Sequence, residues 1–175
     1  MTLSYVIIII GLVINMINEL YAIQEQLNNR IIKEHDLKEE DLSNDRFMAL
    51  LVELGELANE TRCFKYWSLK KPSEKDVIIE EFSDVLHFLL TIGIQLDKPQ
   101  LSFYDKKTDL SLTELFLSLY SDINVVRMLN SKFVFIRAYN TLMLIGQTLG
   151  FSEKDIYDSY LEKNKVNHKR QDHGY

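Results

Sequence analysis

The stretch ALLVELGELANE (residues 49–60) places Leu50, Leu54 and Leu57 at the three- and four-residue spacing of one helix face. The same spacing recurs along a chain that is 46% apolar and contains only 6 glycines and 2 prolines. This composition favours helices over a sheet joined by many turns. With 175 residues, the chain is long enough for one well-filled core. We therefore predict a single all-α domain, a bundle of about five to six helices.

Amphipathic patterns on both sides of this stretch predict the other helices. They run from Ile17 to about Ile31, from about Glu74 to Gln95, from Ser111 to Leu129, from Lys132 to Leu149, and from Ser152 towards the C-terminus. Asn44 or Asp45 is predicted to cap the helix that contains the quoted stretch, and Ser73 to begin the cap of the next helix. The weakly patterned residues 97–110 are predicted to form an inserted loop.

An apolar run, YVIIIIGLVI (residues 5–14), precedes the first amphipathic pattern. It is shorter than the ~18 residues of a membrane span, and no basic region precedes it, so we expect no membrane anchor. One interpretation is a buried first helix or strand. The other, which we favour, is an N-terminal extension before a natural start at Met16. We therefore predict that the domain covers residues 16–175, and we assign no function to residues 1–15.

Net charge and cysteine content restrict the function and the compartment. A formal net charge of −6 argues against nucleic-acid binding, which normally needs a basic face. The single cysteine, Cys63, cannot form an internal disulfide and is typical of a reducing compartment. The expected location is the cytosol.

Two acidic pairs lie at equivalent positions on consecutive predicted helices. At about 100° per residue, Glu53 and Glu56 lie on one margin of the apolar stripe of their helix. Glu81 and Asp84 lie on the corresponding margin of the next helix. If the helices pack through these stripes, each like-charge pair at ~5 Å would cost about 3 kcal/mol without a cation. The pattern predicts a site for a divalent cation, and oxygen ligands favour Mg²⁺ or Mn²⁺ over zinc.

Two alternative interpretations of the acidic pairs remain open. A Glu-x-x-Glu pair is common on a solvated helix face, so either pair alone indicates little. A di-iron carboxylate bundle also places acids on facing helices, but it needs Glu-x-x-His on two of them. Here only Asp84 and His87 have a similar spacing, and the helix of Glu53 contains no histidine near its pair.

Three separated segments carry a family resemblance: ALLVELGELANETRCFKYWS (49–68), EEFSDVLHFLLTIGI (80–94) and YLEKNKVNHKRQDHGY (160–175). In this order they resemble the dimeric all-α dUTP diphosphatases, or dUTPases. That family belongs to the MazG-like nucleoside triphosphate pyrophosphohydrolases. The resemblance covers the chain from Met16 onward. The sequence departs from the family pattern at its end, because the chain stops at Tyr175 where relatives usually continue.

The resemblance implies roles for individual residues. Glu53, Glu56, Glu81 and Asp84 would hold Mg²⁺, with Mn²⁺ as a substitute, and Glu53 would also orient or deprotonate the attacking water. The implied substrate contacts are Gln24, Asn28 and Asn167 at uracil, Trp67 and Phe88 around the base or deoxyribose, Lys163 and Arg170 at the phosphates, and Tyr175 as a closing residue. Without the resemblance, these would be ordinary polar-face, core and helix-terminal residues.

The implied activity is Mg²⁺-dependent hydrolysis of dUTP to dUMP and pyrophosphate by a homodimer, which would keep uracil out of DNA. The alternative within the enzyme class is a MazG-like pyrophosphohydrolase of broader specificity. A further hypothesis is an additional interaction role. Relatives of this family occur in bacteriophages, and the resemblance implies a phage or pathogenicity-island repressor as a candidate partner, contacted by residues 97–110. Deleting that loop should then abolish repressor binding and spare hydrolysis.

Overall fold

Helices make up the regular structure of this protein. The computed structural model describes residues 3–102 and 107–174, with side chains described from Met16 onward. In these ranges there are six α-helices and no strand. They are α1 (Leu3–Glu34), α2 (Ser43–Thr61), α3 (Lys75–Gln95), α4 (Leu112–Leu129), α5 (Lys132–Thr148) and α6 (Glu153–Asp172), with a short 3-10 helix at Glu39–Asp41. The predicted all-α class is confirmed.

The third helix lies at the centre of the bundle. α3 packs against α1, α2, α5 and α6, while α4 packs against α2 and α5. Phe82, Val85 and Leu89 of α3 are at most 1% exposed. The apolar side chains of α3 therefore pack against several neighbouring helices. This packing places the acidic residues of α3 beside those of α2.

The start of α2 differs from the prediction. The helix begins at Ser43 with Leu42 at the N-cap position, and no side chain caps it. Leu42 is already helical, and its carbonyl accepts a hydrogen bond from the backbone N–H of Arg46. Because the 3-10 helix leads directly into α2, there is no extended residue from which Asn44 or Asp45 could act as a cap. That capping prediction was wrong.

The start of α3 also differs from the prediction. Glu74 occupies its N-cap position without a side-chain bond, and the hydroxyl of Ser73 donates to the carboxylate of Glu60 instead. The backbone N–H of Ser73 donates to the carbonyl of Glu60 at 3.0 Å. Ser73 therefore joins the chain to the end of α2 and does not cap α3. In contrast, Ser111 and Ser152 form capping boxes at α4 and α6.

The apolar run before Met16 is part of α1, which is helical from Leu3. Within the described ranges, no helix has the length and apolar character required to cross a membrane. The predicted loop between α3 and α4 contains no helix or strand in residues 97–102 and 107–110, and residues 103–106 lie outside the described ranges.

Gly93 marks a close approach of α1 and α5 to α3. A Cβ atom at Gly93 would lie 2.6 Å from the hydroxyl of Tyr21 on α1 and 2.7 Å from the ring of Phe135 on α5. We expect Gly93→Ala to lower the free energy of unfolding by about 1 to 3 kcal/mol, because two buried rings must move. Urea denaturation followed by circular dichroism measures the change.

Gly55→Ala is the matched control on α2. Its added methyl group would meet only the hydroxyl of Tyr120, at 3.2 Å. Because alanine is a better helix former, we expect this variant to be neutral or up to about 1 kcal/mol more stable. Equal destabilisation of both variants would contradict the packing described at Gly93.

Candidate active site

A cavity of about 430 Å³ lies among α1, α2, α3 and α6. Many residues proposed from the sequence line it together: Gln24, Asn28, Glu53, Asp84, Phe88, Asn167 and Arg170. They come from four helices that are far apart in the sequence. The volume is within the range of small-molecule sites, and the wall combines apolar side chains with amides, carboxylates and a guanidinium group. Such a wall can bind a ligand with an apolar ring and a charged end.

Three carboxylates converge at one side of this cavity. Glu53 of α2 and Glu81 and Asp84 of α3 each offer an oxygen atom, and these atoms lie within 4.8 Å of one another. All three side chains are half-buried. Glu56 is exposed and lies outside this group, although its charge still acts on Glu53 and Glu81. The structure therefore brings three of the four predicted carboxylates into one cluster.

Burial and mutual repulsion weaken these acids. Burial, followed by the charges of Asp84, Glu56 and Glu81, raises the pKa of Glu53 from 4.5 to about 7. Burial and the charge of Asp84 raise the pKa of Glu81. Burial also raises the pKa of Asp84, although Lys163 opposes this. The cluster holds more negative charge than its surroundings compensate at neutral pH, which is the electrostatic setting of a cation site.

Lys163 supplies a positive charge beside the cluster. Its buried ammonium group lies 2.6 Å from Asp84 and 2.8 Å from Glu80. Lys163 does not line the cavity itself. It contacts Asp84, which does. In this arrangement the side chain predicted to bind phosphate pairs with a carboxylate.

The end of α6 is held against α1 by Arg30. Its guanidinium group donates to the carboxylate of Asp172 at 2.6 Å and to the backbone carbonyl of His168 at 3.1 Å. These bonds fix the last turns of α6 beside the cavity. Asn167 and Arg170 line the cavity from this segment.

Trp67 is a predicted substrate residue that does not line this cavity. Trp67 lies on the connection after α2, is 65% exposed, and packs edge-on against Tyr66 at 5.0 Å between ring centroids. Tyr175 lies outside the described residues.

The structure adds residues to which the sequence analysis assigned no site role. His87, Thr91 and Arg46 line the cavity, and Tyr160 is hydrogen-bonded to Gln24. Helical spacing could have indicated the α3 residues, because Asp84, His87 and Thr91 are three and four positions apart. It could also have indicated Tyr160, which lies three positions before Lys163 on α6.

The three-carboxylate cluster fits a hard divalent cation. Its donors are carboxylate oxygens alone, which suit Mg²⁺ or Mn²⁺. Glu53, Glu81 and Asp84 are the residues that would hold the ion. Zinc usually takes nitrogen or sulfur ligands, and a di-iron site would need histidines within the cluster. The cluster found among the described residues contains no nitrogen or sulfur ligand and therefore no histidine.

Burial of Glu53 and repulsion within the cluster predict how stability depends on pH in the presence of a chelator. Between pH 4.5 and about 7, folded Glu53 binds more protons than it does in the unfolded chain. The free energy of unfolding therefore falls as the pH rises through this range. After allowance for solvent screening of a half-buried group, we expect a loss of about 1 to 2 kcal/mol. Urea denaturation at pH 5 and pH 8 in EDTA measures it.

Glu53→Gln should reduce this pH dependence because a glutamine side chain cannot ionise. Glu40→Gln is the matched control, since Glu40 is an exposed acid of the 3-10 helix that does not line the cavity. We expect that variant to retain the wild-type slope. If Glu53→Gln retained it too, the assignment of the effect to Glu53 would be rejected.

Comparison with known proteins identifies one family. A family model described as dUTPase matches residues 16–175. The match includes the cavity, the carboxylate cluster and all helices apart from the first part of α1. A search of curated proteins found no match.

Proposed function

Because the chain belongs to the dUTPase family and is a dUTP diphosphatase, an enzyme that converts dUTP and water to dUMP and pyrophosphate, we propose that it works with a divalent cation, Mg²⁺ in the first instance. The observation that carries this proposal is the convergence of Glu53, Glu81 and Asp84 at one side of the cavity. The physiological role would be to keep uracil out of DNA.

The acidic cluster would form the phosphate end of the site. A bound divalent cation supplies neutralisation of phosphate charge and lowers the pKa of a water molecule. Glu53 lines the cavity and belongs to the cluster, so it is our candidate to orient the attacking water and accept its proton. Exposed Glu56, one helical turn further along α2, is proposed as an additional ligand at the outer side.

Two basic side chains of α6 would bind phosphate oxygens. Arg170 lines the cavity, and a guanidinium group can donate two parallel hydrogen bonds to a phosphate. Lys163 is held by Asp84 and Glu80, at the border of the cluster. We propose that Lys163 both balances the carboxylates and stabilises the charge of the triphosphate.

Other residues of the cavity wall would bind the nucleoside. Asn28 and Asn167 present amide groups there, and Phe88 offers an aromatic surface for the base or deoxyribose. Leu27 and Ile31 of α1 add apolar surface. Contacts of Trp67 and Tyr175 with the substrate remain predictions.

Comparing substrates tests this function against the broader MazG-like alternative. We expect kcat/KM for dUTP to exceed that for dCTP and dTTP by about 100-fold or more, because hydrogen-bond polarity excludes cytosine and shape excludes the thymine methyl group. Pyrophosphate release with each nucleotide at equal Mg²⁺ concentration measures the ratios. Near-equal values would favour the broad pyrophosphohydrolase.

We also propose that the protein is a cytosolic homodimer. The end of α4 and the start of α5 expose three large apolar side chains, Met128, Leu129 and Phe133, each at least 68% exposed. A second copy could cover such a surface. Analytical ultracentrifugation tests this, and a monomer at micromolar concentration would contradict it. A repressor partner at residues 97–110 remains a hypothesis from the sequence.

A further inference from the structure

Lys163 bridges two acids of α3 with one ammonium group. Its side chain is only 7% exposed, and its ammonium nitrogen lies 2.6 Å from Oδ2 of Asp84 and 2.8 Å from Oε1 of Glu80. The two acids are four positions apart on α3, so they lie on the same side of that helix. Lys163 therefore has two counter-charges on neighbouring turns.

The two counter-charges differ in their surroundings. Asp84 lines the cavity and belongs to the three-carboxylate cluster, and its side chain is 17% exposed. Glu80 neither lines the cavity nor belongs to that cluster, and its side chain is 61% exposed. Asp84 thus has a second proposed task, as a ligand of the divalent cation. The carboxylate of Glu80 has Lys163 as its ion-pair partner.

The packing of α3 against α6 fixes where the side chain of Lys163 begins. The hydroxyl groups of Ser83 and Ser159 lie 2.7 Å apart, in hydrogen-bond contact across the two helices. Ser83 directly precedes Asp84, and Ser159 is four positions before Lys163. Because the stem of Lys163 is buried and its helix is held here, its ammonium group can move only over a short distance.

A cation at the cluster would change the balance of charges around Lys163. It would compensate the charge of Asp84, and it would repel an ammonium group bonded to the same carboxylate. A buried ammonium group without a counter-charge is unfavourable. Glu80 supplies a counter-charge that stays available whether or not the cluster holds a cation. An ammonium group has three donor hydrogens, so Lys163 can bond to Glu80 and still donate to a ligand.

We propose that Glu80 is a positioning residue for Lys163. It keeps the ammonium group beside the cluster when a cation takes the carboxylate of Asp84, so that Lys163 can donate to a phosphate oxygen of the nucleotide. Glu80 itself contacts neither the nucleotide nor the cation. The inference rests on the proposed function, since it concerns the triphosphate end of the same site.

Binding of a non-hydrolysable nucleotide tests this role without turnover. We expect Glu80→Gln to raise the dissociation constant of α,β-imido-dUTP by about 10-fold at saturating Mg²⁺, because glutamine has no charge to hold Lys163. Isothermal titration calorimetry measures it. Glu162→Gln is the matched control, since Glu162 is an exposed acid next to Lys163 in the sequence that pairs with Lys165 at 3.1 Å. Its dissociation constant should equal that of the wild type.

Binding of Mg²⁺ alone separates a positioning residue from a metal ligand. Without nucleotide, we expect the dissociation constant of Mg²⁺ for Glu80→Gln to stay within about threefold of the wild type, because no ligand of the ion has been removed. Calorimetry or Mg²⁺-dependent thermal denaturation measures it. A loss as large as that of Asp84→Asn would assign Glu80 to the metal and overturn the proposal.

A double-mutant cycle tests whether Glu80 acts through Lys163. Lys163→Met keeps most of the apolar stem and removes the ammonium group. In that background, we expect Glu80→Gln to leave the dissociation constant of α,β-imido-dUTP unchanged. A further loss as large as in the wild-type background would overturn the proposal.

The single variant decides the question even if Lys163→Met fails to fold, because Glu80 is exposed and its replacement disturbs little packing. Nucleotide binding by Glu80→Gln that equals the wild type would overturn the positioning role and leave the proposed function intact. A wild-type protein that binds neither Mg²⁺ nor the nucleotide would contradict the proposed function itself.

Discussion

Glu53→Gln lowers kcat for dUTP hydrolysis by about 100- to 10,000-fold, the range expected when a general base is removed. The carboxylate of Glu53 lies in the cluster with Glu81 and Asp84 and also lines the cavity. Glutamine has nearly the same shape, but it cannot accept a proton and is a weak ligand for a divalent cation. A pyrophosphate-release assay at saturating dUTP and Mg²⁺ measures the loss.

Glu60→Gln provides the matched control on the same helix. Glu60 is bonded to Ser73 and lies outside the three-carboxylate cluster, and glutamine can still accept that bond. We expect its kcat to stay within about twofold of the wild type, since the change leaves the reacting groups untouched. Wild-type activity in Glu53→Gln, or equal losses in both variants, would show that Glu53 has no special role in the reaction.

Removing divalent cations with EDTA abolishes hydrolysis, by about 1,000-fold or more, and Mg²⁺ restores it. Without a cation, Lys163 and Arg170 oppose the raised pKa of Asp84, and Lys163 opposes that of Glu53. This charge is too little for a cluster that must also accept a triphosphate. Activity across a series of Mg²⁺ and Mn²⁺ concentrations after EDTA treatment measures the dependence.

Binding of the ion also stabilises the fold without any substrate. At about 100 times the dissociation constant, mass action adds about 2.7 kcal/mol to the free energy of unfolding. Thermal denaturation at pH 8 with and without Mg²⁺ detects this gain. Asp84→Asn should lose it, whereas Glu40→Gln, on the 3-10 helix, should retain it. Full activity in EDTA together with no stabilisation of the wild type would contradict a metal site at this cluster.

Local sequence patterns were enough to predict the helices and the side of each helix on which its polar residues lie. The stripes of α2 and α3 predicted Glu53, Glu81 and Asp84 at the helix margins, and these residues do meet. The capping boxes of α4 and α6 also begin at the predicted serines, Ser111 and Ser152. Helix caps at Asn44 or Asp45 and at Ser73 were mispredicted, because a 3-10 helix and a contact with Glu60 use those segments differently.

Such patterns could not predict contacts between residues that are far apart in the sequence. Gln24 was expected to bind the base, yet Tyr160 and His87, 136 and 63 positions away, occupy its oxygen atom. Lys163 was expected at phosphate, yet it lies 2.6 Å from Asp84. No spacing within one helix predicts these pairs, because they depend on how far each helix is rotated and shifted against its neighbours.

The sequence by itself determined that this chain forms helices with apolar stripes flanked by acids, because helical periodicity and side-chain chemistry are local properties. The tertiary structure alone decided which acids converge and that Glu56 stays exposed outside their cluster. It also decided which polar groups are left for a ligand. The physical reason is that burial and charge interactions depend on distances between helices, and only the packing around α3 sets those distances.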